Sequence, residues 1–268
     1  LSDLPICGTC GTQYATPQTE CQICEDERQY VPQSGQTWTS LAKMRASGDY
    51  SARIEHPGEG LIEIGTEPRF GIGQRALLVQ AASGNLLWDC VTYLDDEIVA
   101  AVEAAGGITG IAISHPHYYG TMVEWAKAFN VPIHLHEKDK EWIGRTDDAI
   151  ELWSGESKQL ADDLTLINLG VHFPGSTVLH WRDGAAGQGA LLTGDIVQVI
   201  PDRKFVGFMY SYPNLIPERP SIVKHAAEIL EPYRFDKLHG AWWNSSINAD
   251  AHGIVQRSAK RYLEHARD

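Results

Sequence analysis

Cysteine is scarce in this chain and unevenly placed: five occur in 268 residues, four of them within the first 24. A disulfide scaffold would spread its cysteines along the chain, so the clustering points to a metal instead. Basic residues are also in short supply. Lys+Arg number 22 against 35 Asp+Glu, a net charge of −13. Nucleic-acid affinity comes largely from cations that neutralise phosphates, and anionic lipid repels an acidic surface, so neither partner is expected. No apolar run approaches the ~20 residues of a membrane span. Residues 1–5 carry neither the basic nor the apolar stretch of a secretion signal. These absences predict a soluble, cytoplasmic protein whose partner is a small-molecule substrate.

What is present is ordinary globular material, 43% hydrophobic and 21% charged, enough to bury a large core without staples. Residues 1–38 stand apart, rich in Cys, Thr, Gln and Pro and poor in aliphatics. The remainder, 39–268, alternates strand and helix. Strands are expected at 52–56, 61–65, 76–80, 85–89, 110–114, 131–136, 164–169, 178–182, 190–193 and 235–238. Helices are expected at 95–105, 121–129, 137–146, 220–230 and 251–266. Two β-rich layers covered by helices satisfy this order.

Cys7, Cys10, Cys21 and Cys24 read C-x2-C-x10-C-x2-C. Each C-x2-C pair can curl into a knuckle that offers two thiolates to one ion. Four thiolates without histidine favour a closed, structural zinc site in a small ribbon; rubredoxin-like iron, disulfides and free thiols are the other readings. A closed site leaves no position for substrate, so the ribbon is expected to stabilise the chain, dock a protein partner or mediate self-association. Cys90 reads as a buried core thiol.

A second constellation is spread along the chain. His115 and His117 lie two residues apart at a strand end, where an extended backbone turns both to one side. His172 sits in a Pro-Gly turn, and Asp195 and His239 each end a strand. Metal-capable side chains at successive strand ends form a pattern that chance rarely supplies.

In their order these segments resemble the metallo-β-lactamase fold superfamily, including its glyoxalase II-like hydrolases, over roughly 230 residues. Leu86-Leu87-Trp88-Asp89 is similar to the strand-Asp motif that buttresses the metal loop. His115-Pro-His117 is similar to the start of H-x-H-x-D-H, His172-Phe-Pro-Gly-Ser176 to the H-T-P-G-H turn, Thr-Gly-Asp195 to the bridging aspartate, and His239-Gly240 to the last histidine. The resemblance implies an α/β protein, an αβ/βα four-layer sandwich with the metal at one edge of its sheets. It departs from the motif at Tyr119 and Gly120, where the family carries second-site ligands. One active-site zinc is therefore expected rather than two, on His115, His117 and His172, with Asp195 and His239 as what remains of the second site. Tyr119 is expected to act there as a hydrogen-bonding or space-filling substitute.

Tyr210, Tyr212, Trp242 and Trp243 are candidate walls of a substrate pocket. His134 and His136 match no motif and are expected in supporting roles. The leading function is a metal-dependent hydrolase of an ester, lactone, thioester or amide. In that reading Asp195 orients or deprotonates the water, and His239 stabilises the oxyanion or holds Asp195. The alternatives are a mononuclear non-haem iron(II) oxygenase on His115, His172 and Asp195, and a binding or regulatory protein with catalysis reduced.

Overall fold

A computed structural model describes residues 2–266. Two mixed sheets face each other. The first has seven strands in sequence order: Ser51–Gly58, Leu61–Glu67, Ala76–Ala81, Gly84–Trp88, Gly110–Ala112, Ile133–His136 and Ile150–Trp153. Its first four strands pair antiparallel and the last three continue parallel. Parallel neighbours need crossovers, and these are the helices Asp96–Ala104 and Met122–Phe129 and the 3-10 segment Glu137–Trp142. The second sheet has six strands: Ser157–Ala161, Leu164–Asn168, Thr177–Trp181, Ala190–Gly194, Lys237–Gly240 and Ser246–Ile247. Pro220–Leu230 is the crossover that makes Lys237–Gly240 parallel to Ala190–Gly194.

Side-chain alternation sets the layers. In the first sheet Leu61, Leu77 and Val79 face the second sheet, where they meet Leu166, Leu179 and Leu192. Their neighbours Ile62, Ile64 and Leu78 turn outward onto Ile98 and Val102 of one helix and Val123 of the other. The outer face of the second sheet, including Leu191 and Leu238, packs on Val223, Ala226, Ile254 and Val255. Period-two alternation thus sorts each strand between two apolar layers, and a one-residue slip would exchange them. The result is the expected helix–sheet–sheet–helix sandwich.

Among the elements that lie where the sequence predicts none are the helix Leu41–Ser47 and the strands Ile150–Trp153, Ser157–Ala161 and Ser246–Ile247. The helix expected at 137–146 is a shorter 3-10 segment, Glu137–Trp142. In the N-terminal segment Ile6–Cys7 pairs antiparallel with Trp38–Thr39, so the ladder runs across residue 38. This segment lies against the first sheet's loops: Gln13 N donates to Gly120 O at 3.0 Å, Ala15 N to Gly144 O at 3.0 Å, and Thr92 Oγ1 to Gly11 O at 3.0 Å. Gly11 has φ +85°, and a Cβ there would stand 2.1 Å from Thr92 Oγ1, so the approach requires glycine.

Candidate metal centres

The four N-terminal thiols converge as their spacing predicts. All four Sγ atoms lie within 4.8 Å of one another, with Cys7–Cys24 at 3.7 Å and Cys10–Cys21 at 3.5 Å. A tetrahedron with bonds of about 2.3 Å has sulfur–sulfur edges of about 3.8 Å, so the donor set fits a thiolate-bound ion. All are buried free thiols, as is Cys90. Hydrogen bonds from its partners, Cys10 first, hold the Cys7 thiol far below its ordinary value, while the bond with Cys21 drives Cys10 up. A divalent cation would favour the thiolate form of all four sulfurs and offset part of their charge.

The histidine centre is built where parallel strand ends meet. Asp89 ends Gly84–Trp88 at φ +61°, and its Oδ1 accepts from Ser114 N at 2.7 Å, fixing the backbone just before His115. Thr177 N donates to Ser114 O at 2.9 Å and ties the second sheet to the same point. His172 lies in the loop before Thr177–Trp181, itself in left-handed backbone at φ +74°. Such a conformation costs an L residue on the order of 1–3 kcal/mol and persists only where surroundings enforce it. Here Glu218 Oε2 accepts from His172 N at 2.8 Å.

His115, His117 and His172 each bring one ring nitrogen within 4.8 Å of the others. All three are nearly fully buried, at 1, 3 and 2% exposure. Their second nitrogens explain which face is offered. His172 Nδ1 donates to Tyr210 O at 2.7 Å, which turns the Nε2 lone pair inward; it lies 3.1 Å from His117 Nδ1. His115 Nδ1 is 2.9 Å from Ser114 Oγ, leaving Nε2 free. That Nε2 is 3.2 Å from Asp195 Oδ1, yet both atoms, and His117 Nε2, are buried without a hydrogen bond. Buried polar atoms are almost always paired. His115 Nε2, His117 Nε2 and Asp195 Oδ1 lack that pairing, and His172 Nε2 meets only the His117 ring, so the cluster fits a cation and these residues could bind one.

Burial sets the charges. It holds His115 and His117 well below the ordinary histidine value and His172 at about 4, so all three are neutral and ligand-competent. Burial pushes Asp195 and Asp89 up to about 7.

Two expected members are elsewhere. His239 belongs to neither metal-capable group among the described residues. Its register opposite Leu192 and Ser246 turns it onto the sheet's inner face, with Nδ1 3.1 Å from Ser246 Oγ. There it lines a polar cavity of about 420 Å³ beside the buried Arg75–Glu63 ion pair. Burial and the Arg75 and Lys237 charges lower it to about 3. Tyr119 does not substitute for the missing ligand either: its hydroxyl donates to Asp139 O at 3.4 Å within the first sheet's outer core. Pro116 opens a 3-10 turn, Pro116–Tyr118, that brings Tyr118 to the centre instead. Its ring is 4.4 Å from that of His115, and its buried hydroxyl has no hydrogen-bond partner.

Of the candidate pocket walls, Tyr212 holds Asp195 O at 2.6 Å and faces His172 at 5.9 Å between rings. Trp242 touches Tyr118 at 6.4 Å, and Tyr210 contributes its carbonyl. Trp243 lies apart, under Arg53 and against Gly65 on the first sheet. His136 Nε2 donates to Gly155 O and His134 pairs with Glu151, away from both clusters.

No family model matches the chain. The uncharacterized protein YmaE of Bacillus subtilis is 49% identical over 262 residues, 97% of this chain and 95% of that protein. The metallo-β-lactamase FIM-1 of Pseudomonas aeruginosa, solved in a mono-zinc form, aligns with a TM-score of 0.57 at 13% identity, covering 79% of this chain and 96% of that one. A metallo-β-lactamase from Pontibacter korlensis aligns at 0.57 and 13% identity, covering 81% and 100%. The chain belongs to the YmaE family and has the metallo-β-lactamase fold. Within that fold, the positions that depart from the H-x-H-x-D-H motif are occupied by the N-terminal segment's docking: Gly120 O receives Gln13 N, and Tyr119 and Gly120 line a small crevice with Thr12 and Gln13.

Proposed function

We propose that this protein is a metal-dependent hydrolase of a small-molecule ester, lactone, thioester or amide, with one active-site metal held by His115, His117 and His172. The observation that carries the reading is the convergence of three buried, neutral imidazoles, with His115 Nε2, His117 Nε2 and Asp195 Oδ1 left without a hydrogen bond. A divalent cation such as zinc would supply Lewis acidity toward a carbonyl and lower the pKa of water. Asp195 Oδ1, unpaired beside His115, orients the attacking water and accepts its proton. The Tyr118 hydroxyl, kept protonated by burial and by Asp195, is a donor for developing negative charge on the substrate. Tyr212 and Trp242 border that space. The thiolate cluster is read as a structural zinc site. Free thiols at every described cysteine support a reducing, cytoplasmic setting. Among the described residues no helix is long and apolar enough to cross a membrane.

One observation favours the second reading, a binding or regulatory protein: the three histidines are covered by the chain itself. Metal content per chain and a panel of ester, lactone and thioester substrates test both. Two metals per chain with turnover on any panel member supports the hydrolase. Iron on the histidines would favour the oxygenase instead. A metal-free histidine centre sinks both enzyme readings.

A further inference from the structure

The cysteine-rich segment reaches the histidine centre through three consecutive residues. The short helix Gln22–Glu25 carries Cys24, and Asp26 follows directly. Asp26 grips Arg28, whose Nε and Nη2 donate to its carboxylate at 2.6 and 2.9 Å. Held so, Arg28 donates from Nη1 to His172 O at 3.3 Å and lies 3.9 Å over the Phe173 ring. Between them, Glu27 clamps the loop on the other side of His172. Its carboxylate accepts from the Tyr210 hydroxyl at 2.7 Å, and its carbonyl from Ser211 Oγ at 2.6 Å and Asn214 Nδ2 at 2.7 Å. Tyr210 O is the acceptor that fixes the His172 tautomer.

His172 is steadied by this support, because left-handed backbone costs an L residue free energy. Three contacts enforce it: Glu218 on the N–H, Arg28 on the carbonyl and Tyr210 on the ring. Two of the three depend on Glu27 and Arg28, three and four residues after Cys24.

We propose that Glu27 and Arg28 are positioning residues for His172, so that ion binding at the four cysteines and at the three histidines is coupled. This rests on the reading that the histidine centre holds a cation. Groups that orient a histidine ligand are typically worth 10- to 100-fold in metal affinity. The coupling is reciprocal: order in the ribbon tightens the histidine centre, and a cation on the histidines steadies the ribbon by the same factor.

The test uses cobalt(II) on the metal-stripped full chain. Thiolate-to-cobalt charge transfer in the near ultraviolet reports the cysteines, visible d–d absorbance that grows without it reports the histidines, and a competing chelator gives each affinity. Arg28→Ala and Tyr210→Phe are compared with Arg53→Ala, whose guanidinium packs on Trp243 away from both centres. The expected result is a histidine-centre affinity at least about ten-fold weaker in Arg28→Ala, with the cysteines still filled at saturating cobalt but their affinity no longer raised by cobalt on the histidines. Cys24→Ser should weaken the same centre. Should Arg28→Ala fold poorly, Tyr210→Phe, which removes one hydroxyl, carries the test alone. Affinities within two-fold of the parent in the variants that fold overturn the coupling and leave the hydrolase reading standing. A parent chain that takes cobalt only on its thiolates overturns both.

Discussion

The two metal-capable clusters were assembled by opposite routes. The thiols come from 18 consecutive residues, and two tight C-x2-C turns do most of the gathering. The histidines come from loops more than 50 residues apart, brought together only when two sheets have formed and packed. A local cluster can organise a segment that has little core of its own. A dispersed one is organised by the fold, and reports its errors of register. The contrast predicts that metal loss will be a folding event at the cysteines and a chemical event at the histidines.

The sharpest way to break that contrast is Cys21→Ser. Structural zinc is worth about 10–16 kcal/mol in isolated finger peptides, so the segment before residue 38 should lose its order while both sheets persist. Metal analysis should show one equivalent lost, and proteolysis should begin in that segment. Retention of all metal would disprove a four-thiolate site. Next in size is His172→Ala. The second equivalent should disappear while thiolate-bound metal and the sandwich's circular dichroism remain. Collapse of the whole fold would mean that the histidines, too, are structural.

Asp195→Asn refines the chemistry. Removing a general base typically costs about 10²–10⁴ in rate, so turnover should fall by that order with metal content intact; a parallel loss of metal would make Asp195 a fourth ligand. The smallest effect concerns His239. Its pKa of about 3 lies below the 6.5 of an unfolded histidine, so between those values the unfolded chain binds more protons. Its contribution is therefore complete above pH 6.5 and is lost as pH falls toward 3. His239→Gln should flatten that acid limb, by more than about 1 kcal/mol near pH 4 in denaturant melts. The change should be the same with and without metal, since His239 is outside the histidine centre. A metal-dependent difference would return it there.

Much of this was legible from residues alone, and the exceptions are physical. Alternation in 61–65 and 76–80 announced the layers because both faces of those strands are buried in different cores. Ser157–Ala161 is a polar edge strand with no such alternation, so only its ladder to Leu164–Asn168 makes it a strand. His115, His117, His172 and Asp195 follow strand ends and were readable from motif order. His239 lies inside its strand, where pairing register rather than motif decides its direction. Tyr118 was hidden because a proline-initiated turn, invisible to a spacing rule, aims it where Tyr119 was expected. Arg28 and Glu27 carried no signal at all: their importance comes from a docking between residues almost 200 positions apart.

The hydrogen bond from Thr177 to Ser114 joins the two sheets at the edge where His115 and His117 from one half meet His172 and Asp195 from the other. An ion seated there would be a rivet through the seam of the sandwich. Its dissociation would leave the Thr177–Ser114 hydrogen bond as a tie between the two halves at that edge.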